Sequence, residues 1–213
     1  MAETLSLSFI HRFEKGAEPD ARPLLLLHGT GGDENDLIPL GRMIAPAAPL
    51  LSPRGKVLEN GMPRFFRRFA EGRFDEDDVR HRAQELADFI EEARTQYGIV
   101  TPIALGYSNG ANILAAVAPV DAELFDEIIL MHPLVPWSPE DNPDLARLRV
   151  LITAGRRDPI CPPPLTEKLA DYFARQGSKV TLEWHDGGHE LRPSELAALE
   201  RFVGVGEPVR KLT

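Results

Sequence analysis

Five consecutive residues, Gly106-Tyr107-Ser108-Asn109-Gly110, form a GxSxG pattern, with an apolar run Ile103 to Leu105 before it and a helix-forming run Ala111 to Val117 after it. A serine held on a sharp strand-to-helix turn projects its hydroxyl above a sheet, and the strained backbone leaves no room for side chains at the flanking positions, hence glycine there. The helix that follows aims free amides and its positive dipole end at that serine, which favours negative charge developing beside it. Ser108 is therefore the candidate nucleophile, against the plainer account of a glycine-rich turn with a solvated serine.

A serine hydroxyl is a weak nucleophile until a base takes its proton and an acid fixes the base's tautomer. Of the six histidines, His185 and His189 follow the last apolar strand, and His189 sits in the loop Asp186-Gly187-Gly188-His189, which is free to turn an imidazole inward. His189 is the expected base and His185 its rival. The expected acid is Asp158, in Ala154-Gly155-Arg156-Arg157-Asp158-Pro159, one strand-helix unit earlier, with Asp186 as the alternative. An oxyanion would need two backbone N–H donors, for which Asn109 and Thr30 are expected, the latter in the loop His28-Gly29-Thr30-Gly31-Gly32. That loop contains no GxxxxGK[ST] and no complete GxGxxG, so a nucleotide-phosphate cradle is not indicated.

These residues must be carried by elements that the rest of the chain spells out. Short apolar runs alternate with longer amphipathic ones, the order of βαβ units and a mostly parallel sheet. Strands are expected at Leu5 to Arg12, Pro23 to Leu27, Ala48 to Ser52, Val100 to Leu105, Glu127 to Met131, Arg149 to Thr153 and Val180 to Trp184. Helical periodicity is clearest over Asp75 to Tyr97, and further helices are expected at Glu34 to Ile44, Asn109 to Val117, Pro164 to Arg175 and Ser194 to Val203, the last capped by Ser194. The stretches Pro53 to Phe74 and Pro133 to Leu145 read as long irregular loops, which in a compact domain are often functional.

Within the first of these, PRFFRRF suggests Phe65 and Phe66 against an acyl or aryl group, and Arg64, Arg67 or Arg68 at an anionic end; the plainer account makes the phenylalanines core and the arginines a solvated face. Trp137 in the second loop is expected either to wall the same site, because α/β sheets bind ligands at the C-terminal ends of their strands, or equally to cap the core.

Composition bounds the remaining classes. With 213 residues, 43% hydrophobic and 27% charged, residues 1–213 read as one folded domain, with a flexible tail over 204–213. The 24 Lys and Arg against 33 Asp and Glu give a net charge of −9, which argues against nucleic acid as a partner. Cys161 is the sole cysteine, so no disulfide framework forms within the chain, and a small buried hydrophobe is its expected role. Neither a signal peptide in Met1 to Ile10 nor a membrane-spanning apolar run is legible, so a cytoplasmic protein is expected. No metal-ligand spacing such as HExxH is present, and no cofactor is implied.

Four blocks together, LHGTGGDENDL, GYSNGAN, AGRRDPICP and DGGHEL, resemble the α/β-hydrolases, in particular the small carboxylesterase and lysophospholipase branch that includes acyl-protein thioesterases. Within that branch the chain looks most like bacterial members named as carboxylesterases or as hydrolases linked to hydroquinone resistance. The resemblance, which spans about residues 23–203, implies a mainly parallel twisted sheet with helices on both faces and no large lid domain. It further implies Ser108 as nucleophile, Asp158 as acid, His189 as base, the amides of Thr30 and Asn109 as oxyanion hole, a small-molecule ester as substrate, and a homodimer. Acyl-protein thioesterases usually carry glutamine where this chain has Asn109, which leaves the backbone donor intact but departs from that narrower group. The same residues would serve a carboxylesterase, a lysophospholipase or an acyl-thioesterase, while a binding module on the same fold would have no need of all three triad members.

Overall fold

The computed structural model describes residues 7–18, 21–137 and 139–204. Its centre is a seven-stranded sheet in the order β1-β3-β2-β8-β9-β10-β11, where β1 is His11–Glu14, β2 Leu24–Leu27, β3 Leu50–Pro53, β8 Ile103–Tyr107, β9 Glu127–Met131, β10 Arg149–Gly155 and β11 Lys179–His185. Only the edge strand β1 runs antiparallel, to β3; the remaining neighbours pair in parallel.

Leu24 to Leu27 explain why the sheet lies between two layers. All four are fully buried, and because successive side chains of a strand point to opposite faces, Leu25 and Leu27 enter one apolar cluster while Leu24 and Leu26 enter the other. The first cluster is closed by α2 (Glu76–Tyr97), α3 (Asn109–Val120) and α4 (Pro163–Arg175), and the second by α1 (Ile38–Ile44) and α5 (Pro193–Gly204). Helix α2 follows from its sequence: Asp75 accepts a hydrogen bond from the Asp78 amide as N-cap, acids fill the first turn, and Val79, Ala83, Leu86, Phe89, Ile90 and Ala93 face the core.

The expected elements are present, with shifted bounds and one larger departure. Residues 53–74 are not a loop throughout: β4 (Val57–Glu59) pairs with β5 (Met62–Arg64) and β6 (Arg68–Ala70) with β7 (Arg73–Phe74), forming two short hairpins. Turns at Asn60-Gly61 and around Gly72, with positive φ, let so few residues reverse. The first strand begins at His11 rather than Leu5, since only from there does the chain pair with β3; residues 5 and 6 lie outside the described residues. Helix α1 starts at Ile38 instead of Glu34, because Asp33 accepts the Asn35 amide in a turn and Pro39 suits a first helical turn. Ser194 is not the cap of α5, which starts at Pro193; Glu195 instead reaches back to the Arg192 amide, as the third residue of a capping box does. From residue 205 onward the expected tail lies outside the described residues.

The chain crosses the sheet at its middle, where β2 and β8 are neighbours and their following loops diverge, the switch point at which open α/β sheets form ligand crevices. There α3 packs so closely that a Cβ on Gly110 would stand 2.0 Å from the Leu27 carbonyl oxygen, and one on Gly106 2.4 Å from that of Gly110. Gly110→Ala should therefore push α3 off β2 and cost about 1–3 kcal/mol, read as a lowered urea midpoint at unchanged m-value.

Candidate active site

Ser108 connects β8 to α3 with φ 52° and ψ −112°, a conformation that a non-glycine residue holds only where its surroundings impose it. Here the Ser108 amide donates to the Met131 carbonyl on β9, and its carbonyl accepts from the Asn112 amide in the first turn of α3. The hydroxyl is thereby fixed at the sheet's C-terminal edge. His189 Nε2 lies 2.9 Å from Ser108 Oγ, and His189 Nδ1 lies 2.7 Å from Asp158 Oδ2. Three expected residues from three loops thus form a continuous chain, and the Tyr107 hydroxyl anchors the last loop by donating to the His189 carbonyl at 2.7 Å.

The two rivals go elsewhere. His185 ends β11 buried, its Nδ1 accepting the Gly187 amide, and Asp186 has an 88% exposed side chain beside Arg156. Thr30 follows β2 on an exposed loop, and among the described residues its amide finds no acceptor, whereas those of Gly31 and Gly32 donate to Pro63 and Gly29. Asn109 opens α3, where the first amides have no partner within the helix. Its side chain also ties the hairpin segment to the turn, Oδ1 accepting the Phe65 amide at 2.7 Å.

Beside Ser108 opens a cavity of about 230 Å³ whose lining includes Arg64, Phe74, Asn112, Leu134, Ile160 and His189. Phe65 and Phe66, expected at the substrate, are instead buried in the core, and Trp137 packs edge-on against Phe74 while lining other grooves. The reason is the hairpin at β4 and β5, which turns Arg64 into the site. Arg64 is 2% exposed rather than part of a solvated face; it donates to Thr30 Oγ1 at 2.6 Å and stands 3.4 Å from Glu59.

Asp158 has more partners than sequence reasoning supplied. Its Oδ1 accepts the Ile160 and Cys161 amides, and its Oδ2 accepts both His189 and, at 3.0 Å, His132 Nδ1. Burial alone would raise its pKa, but these hydrogen bonds outweigh it and hold the carboxyl below its ordinary value. His132 follows β9 at the same sheet edge as the triad loops, a placement that could have singled it out. Burial pushes the Cys161 thiol far up, which keeps it protonated beside the triad, its Sγ donating to the His132 carbonyl.

His132, His185 and Glu195 bring ligand-type atoms within 4.8 Å of one another, as do His132, Asp158 and His189. The hydrogen bonds argue against a metal at the first cluster. His185 Nδ1 accepts an amide proton, so its own proton sits on Nε2, the atom that would have to bind the ion.

A serine beside an imidazole and a carboxylate at the C-terminal edge of a mainly parallel sheet defines an α/β-hydrolase. Residues 65–190 match the dienelactone hydrolase family. The chain is 49% identical to the MhqD protein of Bacillus subtilis (strain 168) over 187 residues, 87% of this chain and 92% of that protein. It superposes on a Bacillus cereus carboxylesterase with TM-score 0.89 at 42% identity, covering 92% and 94% of the two chains, and on a Mesorhizobium loti carboxylesterase with TM-score 0.87 at 29% identity, covering 95% and 97%. The chain belongs to the dienelactone hydrolase family and is an ester-hydrolysing enzyme. Among the described residues no helix is long and apolar enough to cross a membrane.

The depressed Asp158 carboxyl has a consequence for stability. Its contribution is complete above the unfolded value of about 3.9 and is lost as pH falls through the lower folded value. The difference in unfolding free energy between wild type and Asp158→Asn, measured by urea denaturation, should therefore shrink as pH is lowered from about 5 to about 3.

Proposed function

We propose that the enzyme cleaves small to medium carboxylic esters in two steps through an acyl-enzyme on Ser108. His189 Nε2 takes the Ser108 proton while Oγ bonds to the ester carbonyl carbon, and the developing oxyanion meets the amides of Thr30 and Asn109. Collapse breaks the bond to the alcohol oxygen, which leaves with the proton held by His189. Water, deprotonated by His189, then releases the acid and restores the serine.

The observation that carries this proposal is the unbroken chain Ser108 Oγ, His189 Nε2, His189 Nδ1 and Asp158 Oδ2 at 2.9 and 2.7 Å, on a serine whose backbone is held in a strained turn. A cavity of about 230 Å³ walled by Phe74, Leu134 and Ile160 suits a short acyl or aryl group better than a long lipid chain. Similarity to two carboxylesterases favours oxygen esters over thioesters and lysophospholipids, which the same triad would also attack. We assign the enzyme to the cytoplasm, since its lone cysteine suits a reducing compartment.

Ser108→Ala should lower kcat on p-nitrophenyl acetate by about 10⁶ and Asp158→Asn by about 10⁴. Rates on p-nitrophenyl esters of increasing acyl length should peak at short chains and exceed those on matched acyl-thioesters. A peak at long chains, or faster thioester cleavage, would move the assignment to a lysophospholipase or a thioesterase.

A further inference from the structure

Behind the triad lies a second set of buried titratable groups that the steps above leave unused. His132 is fully buried between two carboxylates: Nδ1 is 3.0 Å from Asp158 Oδ2, and Nε2 is 3.0 Å from Glu195 Oε1, at ion-pair distance though off the line of a hydrogen bond. The protonation of the cluster follows from its partners. Glu195 accepts the Thr153 hydroxyl on Oε1 and the Arg192 amide on Oε2, with His185 Nε2 3.2 Å from Oε2. Asp158 accepts two amides and His189. Both carboxylates are thus surrounded by donors, which favours their ionised forms. An imidazole whose two nitrogens each face an ionised carboxylate is best accommodated with a proton on both.

We propose that His132 is a positioning residue held as a buried imidazolium, whose fixed positive charge offsets Asp158 and Glu195 so that His189 stays uncharged and available as the base. The proposal rests on the triad reading above. The buried negative charge of Asp158 at His189, backed by Glu195 on the far side of His132, would favour a proton on the His189 Nε2, and a charged His189 cannot accept one from Ser108. His132, with its ring centroid 5.1 Å from that of His189, supplies the opposing charge. It also competes for the same Asp158 oxygen, which limits how far that carboxylate can draw a proton onto His189. The other polar groups facing His132 carry no charge that could replace it. Tyr107 lies edge-on at 5.9 Å with its phenol pushed up to about 12, the Cys161 thiol is raised by burial, and His185 is neutral because its Nδ1 accepts an amide. Burial alone would lower the His132 pKa, but Glu195 and Asp158 outweigh it, in keeping with the charge assigned from the geometry.

Two measurements test this. In ¹⁵N NMR of the histidine side chains of the wild-type enzyme near pH 8, His132 should show two protonated nitrogens, and a single protonated nitrogen would overturn the proposal. The second is the pH dependence of kcat/KM on p-nitrophenyl acetate, with Ser108→Ala as reference. His132→Asn keeps a donor toward Asp158 and suits the positive φ of 50° at this position, but removes the charge. Its rate midpoint should rise by about two pH units relative to wild type, from a unit charge at this separation and an effective dielectric constant of about 20. Glu195→Gln disturbs the same cluster but removes a negative charge, and its midpoint should not rise. An unmoved midpoint in His132→Asn, or an equal rise in both variants, would overturn the proposal while leaving the triad standing. Wild-type rates retained by Ser108→Ala would instead overturn the triad reading itself.

Discussion

A serine with φ near 52° costs of order 1–3 kcal/mol in backbone strain, and the rest of the molecule is arranged so that Ser108 cannot relax from it. On one side β8 is locked between β2 and β9; on the other, α3 is buried along nearly its whole length and lies against β2 with no space for a side chain at Gly110. Releasing the turn would mean lifting α3 from the sheet and exposing Ile113, Leu114 and Val117. Each buried aliphatic side chain of that kind contributes about 1.5–3 kcal/mol, so the strain is small beside what holds it. The hydroxyl is therefore held pointing out of the sheet, the kind of preorganisation that the proposed acylation would use.

Once Ser108 is fixed, the other groups need only gather around it, and each comes from a loop at the same sheet edge. Asp158 follows β10, His189 follows β11, Thr30 follows β2 and His132 follows β9. Their positions are braced by bonds that do no chemistry. Tyr107 holds the His189 carbonyl, Asn109 holds the Phe65 amide, and His28 donates to the Gly29 carbonyl while accepting the Gly55 amide, so the Thr30 loop and the hairpins share one support. Glu195 has a double role. It closes the N-terminus of α5 at Arg192 and faces His132, so that a helix end on one layer packs against the ring that bonds Asp158.

What was legible in the sequence was whatever depends on local periodicity and backbone need. The fully apolar Leu24 to Leu27, the periodic Asp75 to Tyr97 and the glycines around Ser108 each announce their structure, and the order of Ser108, Asp158 and His189 follows from strands ending at one edge. What was not legible depends on contacts between distant segments. Nothing local marks Phe65 and Phe66 as core and Arg64 as cavity wall; two short hairpins decide it, and their pairing rests on turns of two residues. Likewise His132, Glu195 and His185 are spread over 64 positions and meet only because β9, β11 and α5 converge. His132 was nonetheless within reach of sequence reasoning, as a histidine directly after an apolar strand whose neighbours all carry site residues there.

The central claim is that Ser108 is activated by an assembled base and oxyanion site, and covalent capture tests it most directly. A fluorophosphonate reacts at appreciable rate only with a serine whose proton is removed and whose developing oxyanion is stabilised. Intact-protein mass spectrometry followed by peptide mapping should find one adduct, on Ser108, and none in Ser108→Ala. A folded wild-type protein that forms no adduct, or forms it on another residue, would contradict the account.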